Sequence, residues 1–200
     1  MKRLFIVILV AIFSMCAYTA NAEISGLDTK FDIKAGYFLP SEDAIDSIYG
    51  NSPVLGIDFI AWSKKAGLSL GLNYIWNSDG EPKIYGSVSS ASSELTITTI
   101  HVTGLYRIYE PDEGKGFCPY FGLGLIGCRF EEELEVNSDS ASASENAFGL
   151  HALAGIEIPL QSTSSSLFFE ADISNATLDV ESADDDLNIG GITLYAGIRF

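Results

Sequence analysis

The side chains able to do chemistry are few, and their spacing is plain. His101 and His151 are the only histidines in 200 residues. His101-Val102-Thr103 sets an imidazole and a hydroxyl two residues apart, on one face if the segment is extended. A base beside a hydroxyl is the beginning of an activated nucleophile, but His-x-Thr is a common pairing. His151 reads as a hydrogen-bonded interior residue. Glu131-Glu132-Glu133-x-Glu135 and Asp184-Asp185-Asp186 are acidic enough to attract calcium, yet they lack the ordered ligand spacing of a dedicated site. No spacing of His and Cys suits zinc. The residues therefore assign no catalytic, cofactor-binding or metal-binding position.

The elements that would carry these residues follow from composition and pattern. The formal charge is -16, with 11 Lys and Arg against 27 Asp and Glu. Such a balance excludes nucleic acid as a partner, because phosphates need a basic footprint. With 47% hydrophobic and 12% aromatic residues, the chain is too apolar for disorder. Lys2 and Arg3 precede the apolar run Leu4–Phe13, and Ala20-Asn21-Ala22 supplies small residues for cleavage before Glu23. Residues 1–22 are thus expected to be a cleaved export signal. The run is too short for the roughly 17–25 residues of a spanning helix. The expected mature domain, 23–200, carries a net charge of -18.

After residue 22 the recurring feature is period-two alternation in eight segments of about ten residues. They are Thr29–Leu39, Val54–Ser63, Leu68–Asn77, Leu95–Tyr109, Phe117–Phe130, Ala147–Leu160, Leu167–Thr177 and Gly191–Phe200. One face of each is apolar, as in Ile192, Leu194, Ala196, Ile198 and Phe200. The other is polar or small. Connections after the second, fourth and sixth segments are short: Lys64–Gly67, Glu110–Gly116 and Gln161–Ser166. Those after the first, third, fifth and seventh are long: Pro40–Pro53, Ser78–Glu94, Glu131–Asn146 and Leu178–Gly190. Aromatics gather near segment ends, with Tyr37, Trp76, Phe130 and Phe148 at the long-loop end. Trp62, Tyr106, Tyr109, Phe117, Phe168, Phe169 and Phe200 fall at the short-turn end. The pattern predicts an all-β fold: an eight-stranded antiparallel up-and-down transmembrane β-barrel, with short periplasmic turns, long extracellular loops and two aromatic girdles.

Gly36-Tyr37-Phe38-Leu39-Pro40-Ser41, Ile48-Tyr49-Gly50, Pro119-Tyr120-Phe121-Gly122-Leu123-Gly124 and the terminal Gly197-Ile198-Arg199-Phe200 resemble the bacterial outer-membrane β-barrel domain family. That family includes the OmpA-type transmembrane domain and small porin-like surface proteins. The resemblance spans essentially the whole mature chain. It implies residence in the outer membrane among lipid and lipopolysaccharide, and assembly by the outer-membrane machinery through Phe200. No peptidoglycan-binding domain follows in this sequence, so a cell-wall tether is not carried over. Small barrels of this kind also include lipid A-modifying enzymes, but the deacylase-like His-x-Ser near the C-terminus is absent. The expectation is a non-enzymatic barrel serving envelope integrity or surface interaction. The alternative is a narrow channel for small or hydrophobic solutes, of the OmpW type.

Eight strands leave an interior that side chains can fill. The polar face would bring Asp32, Lys34, Asp58, His101, Arg107, Glu157, Glu170, Asp172 and Arg199 into the lumen, where buried charges require partners. The expectation is a compensated network forming a plug rather than an ion path. Cys118 and Cys128 lie ten residues apart on one segment, about 33 Å in extended geometry, which forbids a disulfide. The four long connections hold 17 acidic residues and one basic residue. The acidity therefore belongs to one rim, where divalent cations are expected to relieve the repulsion.

Overall fold

Alternating side chains leave a strand with one face for lipid and one for the interior, and closure into a barrel removes every unpaired edge within the lipid. The computed structural model describes residues 27–80, 91–109, 116–136, 139–160, 164–178 and 187–200. Eight long antiparallel strands form the wall: β1 (Asp28–Pro40), β2 (Ser52–Ser63), β3 (Ala66–Gly80), β4 (Ala91–Arg107), β5 (Cys118–Val136), β6 (Asp139–Pro159), β7 (Ser166–Leu178) and β9 (Gly191–Arg199). A two-residue β8 (Leu187–Asn188) adds to the end of β7. A short helix, α1 (Asp43–Tyr49), lies between β1 and β2. Each wall strand pairs with its sequence neighbours, and β9 closes the barrel between β7 and β1, with Arg199 opposite Asp32 and Ser166. Among the described residues no helix is long and apolar enough to cross a membrane; the strands do the crossing.

The faces fall as the alternation requires. Ile33, Leu55, Leu70, Ile100, Leu123, Leu150, Ile173 and Leu194 point outward, while Asp32, Lys34, Asp58, His101, Thr103 and Arg199 are buried inside. On the outside, Tyr37, the stacked pair Tyr74–Trp76 and Phe148 mark one border of the apolar belt. Phe117, the Tyr106–Phe121 pair, Phe169 and Phe200 mark the other.

Two expectations are corrected. Trp62, Phe130 and Phe168 do not belong to the girdles; all three are buried in the lumen. Their parity matches Asp58, Tyr120 and Glu170 on the same strands, and parity decides the face whatever the residue type. Glu131–Asn146 is not a loop. β5 and β6 run on as a continuous hairpin, Glu131 opposite Ser144 and Glu135 opposite Ser140, leaving only residues 137–138 between them. Ala91–Glu94 joins the same sheet on β4, opposite Val136–Glu133. Ser140–Asn146 are exposed on both faces, so small residues alternate there in place of a lipid-facing apolar set, and backbone pairing with β5 continues the strand. Residues 1–22 and Asp184–Asp186 lie outside the described residues.

Candidate functional site

The lumen is filled in three layers. At the end nearest the C-terminus, the Arg199 guanidinium donates from Nε to Asp32 Oδ1 at 2.9 Å and from Nη2 to Asp32 Oδ2 at 2.7 Å. Its Nη1 donates to Glu157 Oε2 at 2.7 Å, and the Ser166 hydroxyl donates to the other Glu157 oxygen at 2.7 Å. Tyr120 and Phe168 rings flank the guanidinium carbon at 5.0 and 5.1 Å. A planar cation, bidentate on Asp32, between two acids and two rings engages all three of its nitrogens and both carboxylates in one place. Ile60, Trp62, Leu105, Tyr120 and Leu153 pack beside it. Arg107 departs from the expected network: it lies 4.1 Å over Trp62, bonds the Lys64 carbonyl at 3.0 Å and reaches Asp28 at the rim.

The middle layer is polar. Lys34 Nζ sits 2.7 Å from Asp58 Oδ2 and 3.2 Å from Glu170 Oε1, and Tyr120 donates to Glu170 Oε2 at 3.0 Å. His101 Nε2 lies 2.8 Å from Asp58 Oδ1. His151 Nδ1 lies 2.6 Å from Asp172 Oδ2, and its Nε2 lies 2.9 Å from Thr103 Oγ1. The two imidazoles are 5.1 Å apart. This layer exists because glycines leave room for it: a Cβ on Gly71 would stand 1.8 Å from Asp58 Oδ1 and 2.3 Å from His101 Nε2.

Asp172, His151 and Thr103 form an acid–base–hydroxyl chain with the distances of a catalytic relay. Thr103 supplies the hydroxyl, as the spacing His101-x-Thr103 suggested, but the imidazole comes from β6, not from His101. Thr103 is 0% exposed, and the three side chains satisfy one another's buried polar groups.

The outer layer is apolar, which the sequence reading did not foresee. Phe38, Val54, Ile75, Leu95, Ile97, Ile126, Cys128 and Phe130 face inward and pack with Ile45 and Tyr49 of α1. Rising from the β1–β2 connection, α1 crosses the mouth to β4 and β5. Tyr49 donates to Glu132 Oε1 at 2.5 Å and bonds Ser93 Oγ, while Asn77 Nδ2 donates to the Tyr49 carbonyl at 2.7 Å. Burial and the neighbouring Glu132 carboxylate push the Tyr49 phenol well above its ordinary value. Gly50, at φ 57°, ends the helix with its N–H on the Asp46 carbonyl. The signal for this layer was present: Val54 shares the parity of Asp58 on β2, and Ile75 that of Asn73 on β3. Between the outer and middle layers lies a cavity of about 20 Å³, touched by Asn73, Thr99, His101 and Asp172 below and Ile75, Ile97 and Ile126 above. It has room for roughly one water.

Cys118 and Cys128 are both free, and both lie on β5 facing inward. Among the described residues no group of three or more His, Cys, Asp or Glu is placed to hold a metal.

A family model for the outer membrane protein beta-barrel domain matches residues 5–200. Among solved structures, Neisserial surface protein A aligns at 15% identity and TM-score 0.52, covering 88% of this chain and 96% of that one. The N-terminal β-barrel domain of Pseudomonas aeruginosa OprF aligns at 15% identity and TM-score 0.50, over the same shares of both chains. A major outer membrane protein from Thermus thermophilus aligns at 14% identity and TM-score 0.55, covering 86% of this chain and 99% of that one. No curated protein matches the sequence.

Proposed function

Because the chain belongs to the outer-membrane β-barrel domain family and resides in the bacterial outer membrane, we propose that it acts there as a sealed, non-enzymatic barrel whose working part is its outer rim. Its roles are surface interaction and support of the envelope. The observation that carries this reading is the filled lumen: a charge-compensated network at one end, a polar middle and an apolar layer under α1, with room for about one water between them. Ions need a continuous wet path, and side chains occupy it. What remains for interaction is the projecting sheet of β4, β5 and β6 with Glu94, Glu131 and Glu133 on its outward face. Lipopolysaccharide phosphates would border that rim, with divalent cations bridging the two sets of anions. The terminal Phe200, outward on the lipid face, would be the mark read by the assembly machinery.

Reconstitution in a planar bilayer tests the sealed barrel. The expected record is flat, with at most brief, small events; large stable openings would overturn it. A second reading, a conduit for hydrophobic solutes, is favoured by the apolar outer layer. It requires α1 to leave the mouth. Uptake of an apolar solute that depends on α1 displacement would establish it over the first.

A further inference from the structure

The lipid-facing ladder between β9 and β1 has a notch in it. Ile33 stands opposite Ile198, and Tyr37 opposite Leu194, but between these bulky pairs the outward pair is Ala35 and Ala196. Across β1 the next strand places Leu55 opposite Ala35. The result is a groove of about 590 Å³ on the outer wall. Ala35 and Ala196 form its floor, and Tyr37, Leu55, Leu194 and Trp76 form its sides. Trp76 is stacked on Tyr74, with ring centroids 5.7 Å apart. None of the described residues that line the groove is charged. It lies within the apolar belt, beneath the Tyr37 and Trp76 border at the long-loop end.

We infer that this groove seats one acyl chain of an outer-leaflet lipid and holds it at a fixed place on the wall. This goes beyond the sealed-barrel reading and uses only residence in the membrane. The groove is continuous with the lipid-facing belt, so hydrocarbon is what meets it. Water gains no polar partners on an apolar lining, and an empty groove forfeits the contacts its lining could make. Over Ile33 and Ile198 a lipid chain rests on side-chain tips. Over the two alanines it drops close to the backbone and is touched from the sides as well. Tyr37 and Trp76 supply broad, stiff contact area at its upper end. Because the lining carries no charge, it reads the hydrocarbon chain and not the phosphate of the headgroup.

The test uses the folded mature protein in phosphatidylcholine nanodiscs, with native mass spectrometry of the released barrel. The parent is expected to retain a single lipid. The filled variant Ala35→Leu/Ala196→Leu is expected to retain it about tenfold less, the factor set by losing contact with roughly two methylenes. Ala152→Leu/Ala154→Leu makes the same change at outward positions of β6 that do not line the groove, and should retain lipid as the parent does. Tyr37→Ala removes a side instead of filling the floor and should also lower retention. All these positions face lipid, so heat-modifiable gel mobility is expected to be kept; if the filled variant loses it, Tyr37→Ala carries the comparison. A second readout locates the lipid. Trp76 lines the groove, whereas Trp62, the only other tryptophan, is 1% exposed inside the lumen. Quenching of tryptophan fluorescence by acyl-brominated phosphatidylcholine should therefore weaken in the filled variant and not in the β6 control.

Equal retention by the parent and both groove variants would overturn the proposal. Unchanged quenching would place the retained lipid elsewhere and overturn it too. An equal loss in the β6 control would make retention a property of the whole belt. Retention only from nanodiscs of anionic phosphatidylglycerol would mean that a headgroup is recognised, which refutes the chain reading. A dimer in place of the lipid-bound monomer would give the groove to a second copy of this chain. Conductance reports on the sealed lumen separately, so a conducting barrel that retains the lipid refutes the first reading and leaves this one standing.

Discussion

Arg199→Met removes the cation that holds two carboxylates together inside the barrel. The loss counts three hydrogen bonds, two on Asp32 and one on Glu157, and the packing between the Tyr120 and Phe168 rings. Asp32 and Glu157 are 1% and 3% exposed, so neither recovers water in the closed barrel. Removing one partner of a buried pair costs about 3–5 kcal/mol, because the other charge is left buried and uncompensated. Replacing all members by neutral groups of similar shape is often close to neutral. The triple variant Asp32→Asn/Glu157→Gln/Arg199→Met is therefore expected to recover most of the single variant's loss, ending within about 1–2 kcal/mol of the parent. The assay is urea unfolding of barrel refolded in detergent, followed by tryptophan fluorescence and gel mobility. Refolding in vitro keeps cellular assembly out of the comparison. A single variant costing under about 1 kcal/mol, or a triple variant less stable than the single, would refute the claim that charge compensation holds this layer together.

Three further outcomes are expected. Tyr49→Phe should cost about 1 kcal/mol and speed hydrogen exchange in α1. Because the phenol's folded value is raised, Tyr49's contribution should persist up to the ordinary tyrosine value and fade only at more alkaline pH; in a difference titration of parent and variant, a tyrosine ionising at its ordinary value would contradict this. Gly71→Ala should destabilise by about 3 kcal/mol, since the new methyl meets Asp58 and His101. Normal urea stability would show that the middle layer is not packed as described. Leu123→Arg, on a lipid-facing position that is 71% exposed, should cost about 2–4 kcal/mol in a bilayer. Gly122→Ala next to it is inward and meets Leu105 and Thr103, so it should respond to lumen packing, not to lipid thickness.

Alternation, charge and chain order determine the wall. A period of two with apolar residues on one face dictates strands with a lipid side, and eight such segments dictate a small closed barrel. The inward set Asp32, Lys34, Asp58, His101 and Arg199 was legible because parity is a local property. Three features required the tertiary structure. Which inward charges meet depends on stagger: Arg199 and Asp32 are 167 positions apart, and only barrel closure between β9 and β1 makes them partners. The apolar outer layer and the α1 lid were decided by the barrel mouth, where Ile45 and Tyr49 bury apolar surface that a seven-residue helix could not hide by itself. The strands of the projecting hairpin were decided by their neighbours. Residues 139–146 alternate only serine, alanine and other small or polar residues, which suit a loop as well as a strand, and the register against β5 decides between them.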